Sequence, residues 1–293
     1  MTEIGHAVFI VDSQVHVWGH PTEGDPWHPA AADYVAKAQT LSSGDREPMG
    51  GHELLSEMEA AGVNRAVLVP PVFAGDENRA ALAASRDHPD RFRVMGRIAL
   101  EQPEESRSRM ERWLDQPGMV GFRLTFHWDR QRTWLDDGTA SWFWPEAERL
   151  RAPVAVYAPG QLDRIARIAA THPGLRLMVD HFGLPLTARD EQITAVVDEL
   201  VTLAQLPNVA VKASALPSYV SGPYPFAALH DPIRRVIQAF GAERVFWGSE
   251  MTRLPCPYLE AVRLFTDALT FLSPEELTQV MGVALCRWIG WEI

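Results

Sequence analysis

Short apolar runs recur along nearly the whole chain, each followed by a segment with helical periodicity, and this alternation restricts the fold more than any other feature. The runs lie at 8–11, 63–69, 92–98, 119–126, 153–157, 175–179, 208–213 and 244–247. Helical segments are expected near 51–62, 78–88, 103–114, 142–150, 162–171, 191–205, 226–240, 257–271 and 274–289. Strands that read as continuous apolar runs suit a parallel sheet covered on both faces. About eight β-α units with no internal linker, in 293 residues, predict a single α/β domain, a (β/α)8 barrel of the TIM type spanning 1–293. No G-x-G-x-x-G follows the first strand, which argues against an open dinucleotide-binding sheet.

In such a barrel the chemistry gathers at the C-terminal ends of the strands. The first strand carries Asp12, Gln14 and His16, two residues apart, so that an extended chain would point all three to one side. Taken alone, this stretch also fits an edge strand with a hydrated face. The fourth strand offers Arg123, followed by His127, Asp129, Arg130 and Arg132. The fifth ends in Tyr157, the sixth in Asp180 and His181, the seventh in Lys212 and Ser214. The eighth ends in Gly248, Ser249 and Glu250, with Arg253 shortly after. His181 also reads as a barrel-rim histidine, Lys212 as a solvated strand end and Glu250 as a helix cap. Their joint placement favours a site formed by His16, His181 and Glu250.

Net charge is −11 and not blocked, which disfavours nucleic-acid and anionic-membrane partners but leaves room for an arginine-lined pocket. Cys256 and Cys286 show neither metal spacing nor a disulfide framework. No stretch reaches the roughly 20 apolar residues of a membrane helix, and the start of the chain lacks a signal-peptide pattern. A cytoplasmic protein is expected; the sequence does not set its oligomeric state.

The motifs Val11-Asp12-Ser13-Gln14-Val15-His16-Val17-Trp18, Val120-Gly121-Phe122-Arg123, Val179-Asp180-His181-Phe182-Gly183, Asn208 to Ser214 and Phe246-Trp247-Gly248-Ser249-Glu250 resemble the amidohydrolase superfamily, on its branch of lactonases. The resemblance covers essentially the whole chain and implies the same barrel. Two positions depart from the family pattern: Gln14-x-His16 replaces H-x-H, and Glu250 replaces Asp. Where metal-dependent relatives carry a fifth-strand histidine, this chain has Tyr157 or Ala158. The resemblance therefore implies a metal-free hydrolase without a cofactor. The alternative is one divalent metal, Zn or Mn, at His16, His181 and Glu250, although neutral Gln is a poor replacement for imidazole.

The expected reaction is opening of a lactone or related ester of a small anionic substrate. Glu250 would be the general base, with His16, His181 and Gln14 polarising the carbonyl. Arg123 would grip a substrate carboxylate, with Arg130 and Arg253 as secondary anchors. Tyr157 would donate a hydrogen bond, Lys212 would contribute to substrate binding, and Asp12 would orient a neighbouring histidine. Trp18 and Trp128 would line the pocket, whereas the residues of Ser141-Trp142-Phe143-Trp144 are expected to pack as core. A metal-dependent decarboxylase or hydrolase of an aromatic or unsaturated acid is the rival enzyme reading. A non-catalytic binding relative is the rival outside enzymes.

Overall fold

The computed structural model describes residues 8–19, 49–128 and 130–293. Residues 20–48, between the first strand and the first helix, and Asp129 lie outside the described residues.

Eight parallel strands form one sheet in sequence order: β1 (Val11–Val15), β2 (Arg65–Leu68), β3 (Phe92–Gly96), β4 (Met119–Thr125), β5 (Val154–Tyr157), β6 (Leu177–Val179), β7 (Val209–Ser214) and β8 (Val245–Gly248). Helices between successive strands cover the outside, as the alternation predicts. The sheet closes into a (β/α)8 barrel. At the seam between β8 and β1 the Glu250 N–H donates to the Gln14 carbonyl at 2.8 Å, and the Ser249 N–H to Asp12 Oδ1 at 2.9 Å. Gly248 is required there, because a Cβ would lie 2.4 Å from Ser13 Oγ and 3.2 Å from the Gln14 nitrogen.

The alternation of side chains divides the core in two. Val209, Val211 and Ala213 of β7 join the large cluster between sheet and helices. Val11, Val67, Met95, Ala155, Met178, Ala210 and Phe246 fill the barrel interior, with Leu285, Cys286 and Ile289 packed against them. Two residues further along the strands this apolar layer gives way to Arg97, Tyr157, Asp180 and Lys212, and four residues beyond Phe246 to Glu250. All five are buried. A polar layer thus sits on an apolar floor.

One expectation about β1 fails. Its register against β2 shifts between Asp12 and Val15, and an irregularity of this kind changes the phase of side-chain direction. Gln14 reaches Lys212 inside the barrel, whereas Asp12 accepts from Tyr258 Oη of the outer helix Tyr258–Arg263 at 2.7 Å. Both Asp12 oxygens are occupied, by the Gln14 and Ser249 N–H groups and by Tyr258. Asp12 fastens the seam and does not orient a histidine. Among the described residues no helix is long and apolar enough to cross a membrane.

Candidate active site

The strand ends bring His16, His181 and Glu250 together. His16 Nε2 lies 2.7 Å from Glu250 Oε1, and His181 Nε2 lies 3.7 Å from Glu250 Oε2. His16 Nδ1 faces the Val69 carbonyl at 2.6 Å, and this contact from the end of β2 sets the ring orientation. His181 Nδ1 faces Ser214 Oγ at 2.8 Å. Glu250 Oε2 is buried and has no hydrogen-bond partner among the described residues.

The backbone here is unusual. His181 and Glu250 have φ values of 54° and 51°, the left-handed region that non-glycine residues rarely enter. Ala215, just beyond β7, is also left-handed at 59°. Such a conformation costs about 1–2 kcal/mol per residue and persists where surrounding structure enforces it, often at functional positions. For Glu250 the enforcement is visible: its N–H is held by Gln14, and its carbonyl accepts from Arg253 N–H at 2.7 Å.

Below this trio a buried chain of charges crosses the barrel. Arg123 Nε meets Asp180 Oδ2 at 3.1 Å, Lys212 Nζ meets Asp180 Oδ1 at 3.1 Å, and Lys212 Nζ donates to Gln14 Oε1 at 2.8 Å. Burial opposes ionisation of Asp180, yet Lys212 and Arg123 hold its carboxyl below the ordinary value. Burial also works against the Glu250 charge, but His16, His181 and Arg253 hold it well below the usual carboxylate range. His181 is pushed the other way, down to about 4, chiefly by burial, with Glu250 and Asp180 opposing. At neutral pH the site therefore presents a carboxylate beside a neutral His181.

Basic side chains gather around His127. Burial, followed by Arg123, Arg97, His181 and Arg253, drives His127 down to about 2, so a proton is strongly disfavoured at this point. The guanidinium groups among these neighbours favour an anion. Arg97 is a residue that the sequence reading did not select. It is buried at the end of β3, with its backbone N–H and carbonyl both bonded to the Asn78 amide, at 2.7 and 3.0 Å. Its signal was the two-residue step from Met95 in the interior layer. The same step from Met178 gives Asp180, which the sequence reading placed at a strand end without a role.

Several expected contacts change. Arg130 is exposed, pairs with Glu101 at 2.9 Å and covers the Trp134 ring, so it belongs to the outer surface. Lys212 has no exposed surface and reaches Gln14 and Asp180 instead of a ligand. Tyr157 Oη donates to the Leu184 carbonyl at 3.0 Å, which uses its only proton. Arg123 has given Nε to Asp180, which leaves its two Nη groups for a two-pronged grip. Arg253 keeps its place beside the site. Burial opposes its charge, but Tyr219 and Glu250 hold it protonated. Trp18 packs edge-on against Phe73 at 5.9 Å, and Trp128 meets the His127 ring at 5.3 Å. Phe143 and Trp144 are buried in the core as expected, and half-buried Trp142 donates Nε1–H to the Leu100 carbonyl.

A metal does not fit these donors as they stand. Among the described residues no group of three or more His, Cys, Asp or Glu side chains is arranged to hold one. Gln14 Oε1 is taken by the Lys212 ammonium, and His16 Nε2 and Glu250 Oε1 are in direct contact with each other.

A family model described as amidohydrolase matches residues 11–283. The chain belongs to the amidohydrolase family. A curated relative, an L-fucono-1,5-lactonase from Burkholderia ambifaria, is 26% identical over 249 residues, covering 83% of this chain and 80% of that one. This amidohydrolase also shares its fold with a probable 2-pyrone-4,6-dicarboxylic acid hydrolase from Acinetobacter baumannii, solved with citric acid bound (TM-score 0.72, 17% identity, 96% of this chain and 99% of that one). A 5-carboxyvanillate decarboxylase from Sphingomonas paucimobilis has the same architecture (TM-score 0.68, 16% identity, 97% and 99%). The last two likenesses concern the barrel alone. Family membership and the lactonase relative make the protein a hydrolase.

Proposed function

We propose that this amidohydrolase opens a lactone, or a related ester, of a small carboxylated substrate by means of carboxylate-activated water. The observation that carries the reading is Glu250. One of its oxygens is engaged by His16, while the other is buried and without a partner among the described residues, beside His181. A water oxygen about 2.8 Å from Oε2 completes that geometry and leaves His181 Nε2 for the carbonyl oxygen.

Glu250 Oε2 takes a proton from this water as its oxygen forms a bond to the carbonyl carbon. The carbonyl π pair moves onto oxygen, where His181 Nε2–H and the Gln14 amide N–H are the stabilising donors. Collapse of the tetrahedral intermediate breaks the bond from carbon to the leaving oxygen. The departing electron pair takes the proton back from Glu250, and a hydroxy acid leaves. A carboxyl group with a depressed pKa is a weak base, but it surrenders its proton readily to an alkoxide-like oxygen, so its weakness in the first step assists the last.

The Nη groups of Arg123, with Arg97 and Arg253 nearby, are the proposed seat for a substrate carboxylate. The bond class is suggested by the lactonase relative. The metal-dependent decarboxylase alternative would need His16, His181 and Glu250 as ligands, whereas the lactone reading uses the His16 contact to Glu250 as it stands.

The direct test is a panel of five- and six-membered lactones, with and without a carboxylate, offered to the wild type and to Glu250→Gln. Turnover of carboxylated lactones that disappears in the variant supports the reading. A wild type inert towards the whole panel, or a variant as fast as the parent, overturns it.

A further inference from the structure

The chain contains twenty-five arginines and only two lysines, Lys37 and Lys212. One of those two is wholly buried inside the barrel, one step above Ala210 on β7. A sequence that uses arginine for nearly every positive charge has kept a lysine where a narrow ammonium on a long stem fits and a broad planar guanidinium does not. Lys212 has no exposed surface, so its role is to act on its neighbours.

Those neighbours are Asp180 Oδ1 at 3.1 Å and Gln14 Oε1 at 2.8 Å. An ammonium can only donate, so Gln14 must present its amide oxygen to Lys212. This fixes an orientation that an amide could otherwise reverse. The NH2 end is then turned away from Lys212, and the buried Nε2 has no partner among the described residues. Buried donors are nearly always satisfied in folded proteins, so a stranded one in a candidate active site points to a partner that arrives with the substrate. Asp180 holds Lys212, and Arg123 holds Asp180. The chain Arg123–Asp180–Lys212–Gln14 thus links β4, β6, β7 and β1 and ends on a donor aimed away from its own support.

We infer that Lys212 is a positioning residue: it locks the Gln14 amide with its oxygen inward, so that the N–H is presented to the oxyanion. The inference rests on the hydrolase reading for the identity of that oxyanion, but not for the lock itself. A purely structural Lys212 would only neutralise Asp180 and would leave Gln14 free to turn.

Two measurements separate these roles. The first is a kinetic cycle on a lactone that the wild type opens. Gln14→Glu keeps the shape and still accepts from Lys212, but has lost the N–H; it should lower kcat by about a hundredfold with KM changed by less than about threefold. Lys212→Met should give a similar kcat loss, and Gln14→Glu combined with Lys212→Met should be no slower than the worse single variant. Losses that multiply, or an unchanged kcat in Lys212→Met, overturn the inference. Because Lys212→Met strands Asp180 with Arg123 alone, the version that also carries Asp180→Asn keeps the cycle available if the single variant does not fold.

The second measurement needs no substrate. In protein labelled with 15N-glutamine, the side-chain NH2 pair missing from Gln14→Glu identifies Gln14. The two proton shifts of that pair should move towards each other when Lys212 is replaced, with or without Asp180→Asn, as the lock is released. Shifts that stay in place overturn the inference. Shifts that move, in a protein that opens no lactone, support the positioning role and defeat the hydrolase reading instead.

Discussion

His16 Nε2 stands 2.7 Å from Glu250 Oε1, while the other nitrogen of the same ring is held 2.6 Å from the Val69 carbonyl. The carbonyl can only accept, so Nδ1 carries a hydrogen, and the contact to Glu250 requires a second one. One hydrogen therefore lies in the contact between Nε2 and Oε1. Oε1 is committed to the imidazole and Oε2 is left to act.

Replacing Glu250 by Gln retains shape and removes the acceptor. The expected loss in kcat is about 10²–10⁴-fold, the usual range for a positioned general base. Circular dichroism should show the fold intact. Steady-state kinetics on an accepted lactone is the check, and residual activity near the parent level removes Glu250 from the base role.

The pH profile follows from two depressed values. Glu250 is ionised well below the usual carboxylate range, and His181 stays neutral until about pH 4. Both groups are in their working state above those values, so kcat/KM should be level from neutrality down to about pH 5 and then fall as His181 takes up a proton. An acid limb centred near the ordinary histidine value would contradict this assignment.

Arg123→Lys preserves a positive charge for Asp180 but loses the planar pair of Nη groups. KM for a carboxylated lactone should rise by roughly tenfold or more, with little change for an uncharged analogue. Equal effects on both would place the carboxylate elsewhere, with Arg97 and Arg253 the next candidates.

Asp12 makes the opposite contribution to stability from the two site carboxylates. Burial lifts it to about 6, from 3.8 in an unstructured chain, against the hydrogen bonds from Ser249, Tyr258 and Gln14. The folded state therefore binds the proton more tightly. Stability from this group is fully present below 3.8 and is lost as pH rises through about 6. Asp180 and Glu250, with lowered values, lose their contribution as pH falls. Asp12→Asn keeps all three hydrogen bonds if the one to Tyr258 reverses, and it should abolish the Asp12 component. The difference in Tm between wild type and this variant, followed across that interval, isolates it. Asp12→Ala strands two N–H groups and a hydroxyl and should cost about 2–4 kcal/mol.

Metal analysis of the purified protein should find far less than one equivalent of zinc or manganese, and activity should survive a chelator. About one metal per chain, with loss of activity on its removal, would turn His16, His181 and Glu250 into ligands. Decarboxylation would then displace lactone opening as the leading reaction.

Much of this was legible in the chain because it depends on local pattern. Eight apolar runs alternating with helical segments give the barrel, since a strand covered on both faces has to be apolar throughout. Position at a strand end was enough to bring His16, His181, Glu250, Arg123 and Gln14 to one mouth. The two-residue period also carried Arg97 and Asp180, through Met95 and Met178.

What local pattern did not hold was decided by contacts between distant strands. The shift in β1 turns Asp12 towards Tyr258, some 246 residues away in sequence, and reserves it for the seam. Arg130, on the same stretch as Arg123, swings to the surface because Glu101 and Trp134 meet it there. Lys212 changes from a candidate substrate contact to a buried support because Gln14 and Asp180 surround its ammonium. The sequence by itself determined the barrel and the residues offered at its mouth, since strand period and strand ends are local properties. Only the tertiary structure decided which of those side chains are already used by one another and which atoms remain for a substrate, since pairing depends on distances across the closed sheet that no single segment encodes.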